Sequence, residues 1–131
     1  MIIISGIGCV KNKIKIQKMK QKEHDDLLEW IDERFLKSMA RIHCLALINK
    51  GYRHGYDIIK HIKEKSDIEV SAGMLYPVLQ WLEENNYIKG VWKHEEGKPG
   101  RKEYELTDDG LELLKIARER LTELSANLME K

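Results

Sequence analysis

From Asp25 to about Lys50, apolar residues recur at spacings of three and four: Leu28, Ile31, Phe35, Met39, Ile42 and Leu45, with charges between them. That period matches one face of an α-helix. The run is long enough for a single helix or for two that meet near Lys37-Ser38. Gly51 marks its end, because glycine readily takes the left-handed conformation just past a helix. A shorter helix is predicted from about His54 to Lys65, with Ile58, Ile59 and Ile62 inward and Lys60 and Lys63 outward. Ser66-Asp67 breaks it, and Ile68-Glu69-Val70 reads as a short extended link. Ser71 is the predicted N-cap of a third helix that stops near Asn85-Asn86.

The period then changes from 3.6 to two. Ile88 to Lys93 and Arg101 to Leu106 alternate as strands do, and the segment EEGKPG between them reads as a turn. Thr107 with Asp108 and Asp109 offers an N-cap and two anions for the positive end of a last helix, Asp108 to about Met129. The order is helix, helix, helix, strand, loop, strand, helix. The expected fold is mostly α with a small β-hairpin: a winged helix-turn-helix followed by a C-terminal dimerisation helix. In that layout the third helix enters the major groove of DNA and the hairpin lies beside it. The expected division is a Lys-rich arm over 1–22, a winged helix-turn-helix DNA-binding domain over 23–106 and a dimerisation helix over 107–131.

Wheel positions divide the third helix. Leu75, Val78, Leu79 and Leu82 share one side and belong to the core, whereas Gly73, Gln80 and Glu84 lie opposite, with Tyr76 on one flank and Met74 and Trp81 on the other. Pro77 clashes with the carbonyl four residues back, which belongs to Gly73, and a residue without Cβ relieves that clash cheaply. The pair reads as a bent helix start that lets the backbone approach a surface; the alternative is a helix that begins late, with Pro77 at its first position.

Charge changes the picture only locally. The net value is +1, yet residues 1–22 carry six Lys and no acid, and the remainder holds 17 basic against 22 acidic residues. Domain-wide charge therefore makes no case for a polyanionic partner, and patches must do so. From Ser71 to Tyr87 there is no Lys or Arg, so base reading would fall to Gln80, with Ser71 and Tyr76 as phosphate donors. The cations would come from Arg53, Lys60 and Lys63 before the helix and from Lys98, Arg101 and Lys102 on the wing.

Residues 1–22 leave several readings open. Ile2-Ile3-Ile4 and Lys13-Ile14-Lys15-Ile16 permit short strands or an ordered arm, a disordered basic tail fits as well, and translation from Met19 would remove most of the segment. The apolar opening has no cationic lead and is shorter than a membrane span, so it reads as neither signal nor anchor. Cys9 and Cys44 are 35 positions apart without metal-finger spacing, which favours reduced thiols and a cytoplasmic setting.

Three blocks, His54-Gly55-Tyr56-Asp57-Ile58-Ile59, Gly73-Met74-Leu75-Tyr76-Pro77-Val78-Leu79 and Tyr104-Glu105-Leu106-Thr107-Asp108-Asp109-Gly110, resemble in order the PadR-like transcriptional regulators. The resemblance spans roughly Phe35 to Leu128. It implies a homodimer, usually a repressor, on a palindromic operator in double-stranded DNA, with dimer contacts from the first and last helices. It also implies that Ser71 and Tyr76 contact the DNA backbone, that Gln80 faces bases, and that the wing around Gly97 to Gly100 approaches the minor groove. Residues 1–22 have no counterpart in this pattern, and the single last helix points to the family's short branch.

Leu114, Ala117, Leu121, Leu124 and Leu128 keep a 3-4 spacing, widened by Leu113 and Ile116, which supports the dimer from the residues themselves. Asp57 and His61, or His43-Cys44, make no ligand set of three by spacing, so no metal or other cofactor is expected. No phosphate loop or hydrolase signature is present, so no catalytic residue and no enzymatic activity are expected. Trp81 and Trp92 read as packing residues, with a ligand-lining role as the alternative. Trp92 shares strand parity with Ile88 and Gly90, which makes it either core-facing support for the wing or half exposed, and no small-molecule effector is assigned. The competing function is a winged helix used for protein interaction or assembly, favoured by the acidic body and the cation-free third helix.

Overall fold

The computed structural model describes residues 10–66, 68 and 70–131, with side chains from Lys20 onward. Ile2–Ile4 and Cys9 lie outside the described residues, as do Asp67 and Glu69 of the extended link. The chain forms α1 (Val10–Lys50), α2 (Gly55–Ser66), α3 (Ala72–Glu84), β1 (Ile88–Lys93), β2 (Arg101–Leu106) and α4 (Asp108–Met129). It divides into two compact units, Met1–Phe35 and Leu36–Lys131.

The first helix runs unbroken through Lys37-Ser38, and the backbone of Lys13–Ile16 is helical rather than extended. Lys and Gln are good helix formers, and alternation over four residues is too short a signal to override them. In the Met1–Phe35 unit, Leu27, Leu28, Trp30, Ile31 and Phe35 are exposed. Arg34 lies 5.9 Å from the centroid of the Trp30 ring.

In the Leu36–Lys131 unit, Leu36, Cys44, Leu45, Leu47 and Ile48 of α1 join Ile58 and Ile62 of α2, Val70, Leu75, Leu79 and Leu82 of α3 and its approach, and Ile88, Tyr104 and Leu114 in one core. Two helices end in the same hydrogen-bonded device. After α1, Gly51 at φ 110° directs its N–H to Ile48 O (3.1 Å) and that of Tyr52 to Leu47 O (3.0 Å). After α3, Asn86 at φ 62° does the same, with its N–H on Glu83 O (3.1 Å) and that of Tyr87 on Leu82 O (2.9 Å). Both satisfy carbonyls that a helix end leaves unpaired.

The hairpin is a two-stranded antiparallel sheet in which Ile88 pairs with Leu106, Gly90 with Tyr104 and Trp92 with Lys102. Thr107 joins it to α4. Its hydroxyl accepts from Gly110 N (3.0 Å) and donates to Asn86 O (2.6 Å), so one side chain caps α4 and ties it to the end of α3. Among the described residues no helix is long and apolar enough to cross a membrane.

Candidate nucleic-acid interface

The third helix, α3, begins where its cap predicts. Ser71 is extended, and its Oγ accepts from Met74 N at 3.2 Å, which leaves the hydroxyl hydrogen for an outside acceptor. Ala72 and Gly73 are already helical and Pro77 lies inside the helix, so the late-start alternative does not hold. A Cβ at Gly73 would meet nothing closer than Ser71 Oγ at 3.8 Å, which leaves that backbone open to approach.

Tyr76 is 49 % exposed and rests against the start of α2. A Cβ at Gly55 would stand 2.9 Å from its ring and 3.1 Å from its hydroxyl, so glycine at 55 is what lets the two helices close on each other there. The Gln80 amide donates to Glu84 Oε1 at 3.0 Å, one turn on, so a contact to a base edge would exchange that bond. Trp81 leans back on the core, with the Arg41 guanidinium 3.5 Å from its ring centroid and Tyr87 stacked at 5.8 Å.

The cations separate into two kinds. Lys60, Lys63 and Arg101 are exposed. Arg53 lies 3.9 Å from Glu105 and Lys98 3.1 Å from Glu95, both in solvent-facing pairs of the sort that costs little to open. Lys102 differs: its ammonium is 2.8 Å from Glu83 Oε2, with both side chains about one-third exposed. The hydrogen bond to Glu83 is the chief cause that raises its pKa above the ordinary lysine value. Lys102 is therefore engaged across two elements of the protomer, in a less exposed pair than that of Lys98 with its near neighbour Glu95. The wing tip turns at Gly97, whose φ of 79° suits a residue without Cβ.

Trp92 corrects its packing assignment. It is 60 % exposed, because the hairpin runs outward from the core and only its base, at Ile88 and Tyr104, is buried. Leu114 is also placed differently from a partner-facing residue: it is 2 % exposed and belongs to the protomer's own core. Ala117 and Leu121 are half-buried, and Leu124 and Leu128 are exposed. Glu83 and Gly90, which surround Lys102, were assigned no role by sequence, and His54 entered only as the start of the second helix and of a family block. The cross-strand register that brings Gly90 beside Lys102 is a tertiary feature.

Burial pushes the Cys44 thiol up to about 12, so it stays protonated and unreactive. Among the described residues no three His, Cys, Asp or Glu side chains are grouped to hold a metal ion.

The model of the transcriptional regulator PadR-like family matches residues 44–116, more than half of the chain. The chain belongs to the PadR-like family. It is a family of transcription regulators, not of enzymes. A PadR-like transcriptional regulator from Bacillus cereus superposes with a TM-score of 0.65 at 26% identity, covering 75% of this chain and 99% of that one. A PadR family transcription regulator from Clostridium difficile gives 0.63 at 26%, covering 69% and 94%. Bacillus subtilis PadR, solved in complex with operator DNA, gives 0.54 at 29%, covering 59% of this chain and 45% of that one. No curated protein matched the chain.

Proposed function

We propose that this PadR-like regulator is a homodimeric repressor that binds a palindromic operator in double-stranded DNA inside the cell. The observation that carries the reading is the uncovered face of α3. Ser71, Gly73, Tyr76 and Gln80 are exposed on it, with Lys60 and Lys63 on the preceding helix and Lys98 and Arg101 on the wing. Such a face offers hydroxyl and amide groups to backbone and bases, and cations to phosphates. The operator complex of the Bacillus subtilis relative supports the same use of the fold.

The dimer reading rests on α4. Beyond Leu114 its apolar residues Ile116, Leu124, Leu128 and Met129 are uncovered by their own chain. A two-fold axis through that helix would place two reading helices about 34 Å apart, one turn of DNA, and would make the operator an inverted repeat. Selection from random duplex DNA with the purified protein tests this directly. Enrichment of an inverted repeat bound by two chains is the expected result, followed by lowered reporter output when the repeat overlaps a promoter. If no sequence is enriched, the DNA reading fails and an interaction module takes its place.

A further inference from the structure

Lys102 is held from three sides. Its ammonium reaches Glu83 on α3, and its stem crosses β1 at Gly90 to get there. A Cβ on Gly90 would collide with Lys102 Cε and stand 3.1 Å from Glu83 Oε1, so the glycine is the channel through which the side chain passes. On the other side, His54 Nδ1 lies 3.2 Å from the carbonyl oxygen of Lys102, and His54 Nε2 lies 3.5 Å from Glu103 Oε1. The next amide, Tyr104 N–H, donates to Arg53 O at 2.9 Å. The wing is thus fastened to the start of α2 largely through its backbone. Against α3 its base packs in the core through Ile88 and Tyr104, and beyond that base the Lys102 side chain reaches Glu83.

That side chain spans an open cleft of about 490 Å³ between the reading helix and the wing, lined by Tyr76, Gln80, Glu83, Glu84, Lys102 and Tyr104. The separation of those two walls decides whether α3 and the wing tip can meet one DNA duplex together. We propose that the Glu83–Lys102 pair, seated across Gly90, is a clamp that sets the wing against the reading helix, and that Lys102 is a positioning residue for DNA binding and not a phosphate contact. The proposal rests on the DNA-binding reading above, and extends it to Glu83, an acid on the reading helix that simple electrostatics would count as unfavourable.

The salt dependence of binding separates the two roles, because a lost phosphate contact lowers the slope of log affinity against log salt by about 0.9 and a lost positioning contact does not. The probe is the duplex enriched by the wild-type protein. Lys102→Ala and Glu83→Gln should each weaken binding about tenfold with an unchanged slope. Arg101→Ala should lower the slope. Gly90→Ala displaces the lysine stem without altering either charge, and should reproduce the Lys102→Ala loss. The exchanged pair E83K/K102E should recover most of the affinity lost in K102E alone.

A lowered slope in Lys102→Ala, tighter binding by Glu83→Gln, or no recovery in the exchanged pair would overturn the clamp. Hydrogen exchange tests it without DNA: the amides of residues 102–104 should exchange faster in Lys102→Ala and Gly90→Ala, while those of α3 keep their rates. Equal rates in wild type and variants would overturn it, whether or not DNA binds. Failure of the wild-type protein to bind any duplex would instead count against the DNA-binding reading.

Discussion

The apolar stripes of α3 and α4 have the same helical period and meet different fates. In α3, Leu75, Leu79 and Leu82 are sealed within the protomer. In α4 only Gly110 and Leu114 are, and Leu124 and Leu128 stand 49 % and 82 % exposed. Periodicity states which face of a helix gains by leaving water. It does not state which surface will cover that face. The α3 stripe faces α1, α2 and the base of the hairpin, whereas α4 runs past the end of the protomer's core after its second turn. The exposed leucines are thus a cost to an isolated chain, and a second copy is the proposed remedy.

The largest test of this contrast is truncation of the sealed stripe. Leu79→Ala should cost about 2–5 kcal/mol of folding stability in urea titration, through lost transfer energy and a residual cavity. A loss under 1 kcal/mol would mean that this core repacks freely. The open stripe should behave in the opposite way. Leu124→Glu with Leu128→Glu should leave the fold intact by circular dichroism yet raise the dissociation constant of the proposed dimer about 100-fold or more in sedimentation, since burying each leucine would stabilise it by about 1.5–3 kcal/mol. An unchanged dissociation constant would move the dimer contact elsewhere.

Where the stripes are joined, Thr107→Ala removes both the α4 cap and the bond to Asn86 O, and should cost about 1 kcal/mol. Thr107→Ser, which keeps the hydroxyl, should recover most of it; equal losses in both would assign the effect to the threonine methyl instead.

The smallest effect concerns a polar group among apolar neighbours. His43 lies beside Leu36, Cys44, Ile62, Val70 and Leu75, and its Nδ1 is buried without a hydrogen-bond partner. Burial, then His61 and Lys50, lower its pKa below the ordinary 6.5. The folded state therefore resists a proton that the unfolded chain accepts. Its contribution is fully present above pH 6.5 and declines as pH falls from 6.5 to the lowered folded value. His43→Leu should flatten stability over that window, as thermal melts from pH 7.5 to 5 would reveal; an unaltered pH dependence would exclude His43 as its source.

Much of the fold was legible because its signals are local. Ser71 and Thr107 announce helix starts through a side-chain oxygen that meets an amide three residues on. Ile88–Lys93 and Arg101–Leu106 announce strands by alternation. The candidate site was half legible: the α3 face follows from a helical wheel, and the wing cations from composition. Trp92 was misplaced because strand parity names a face without saying how far the core extends beneath it. Lys102 was counted among the phosphate cations because its partner, Glu83, lies on a different element.

From Asp25 onward the sequence by itself determined the elements and the caps at Ser71 and Thr107, since each depends on hydrogen bonds and side-chain directions within a few residues. It did not determine the helical backbone of Lys13–Ile16 or the exposure of Leu28, Ile31 and Phe35. It also determined the family, through three short blocks in order. Only the tertiary structure decided which cations remain available and which leucines remain uncovered. Those outcomes depend on what stands opposite a side chain in space: Glu83 across Gly90 for Lys102, and the core for Leu114 but solvent for Leu128. A linear pattern carries a residue's preference for company, and packing alone supplies the company.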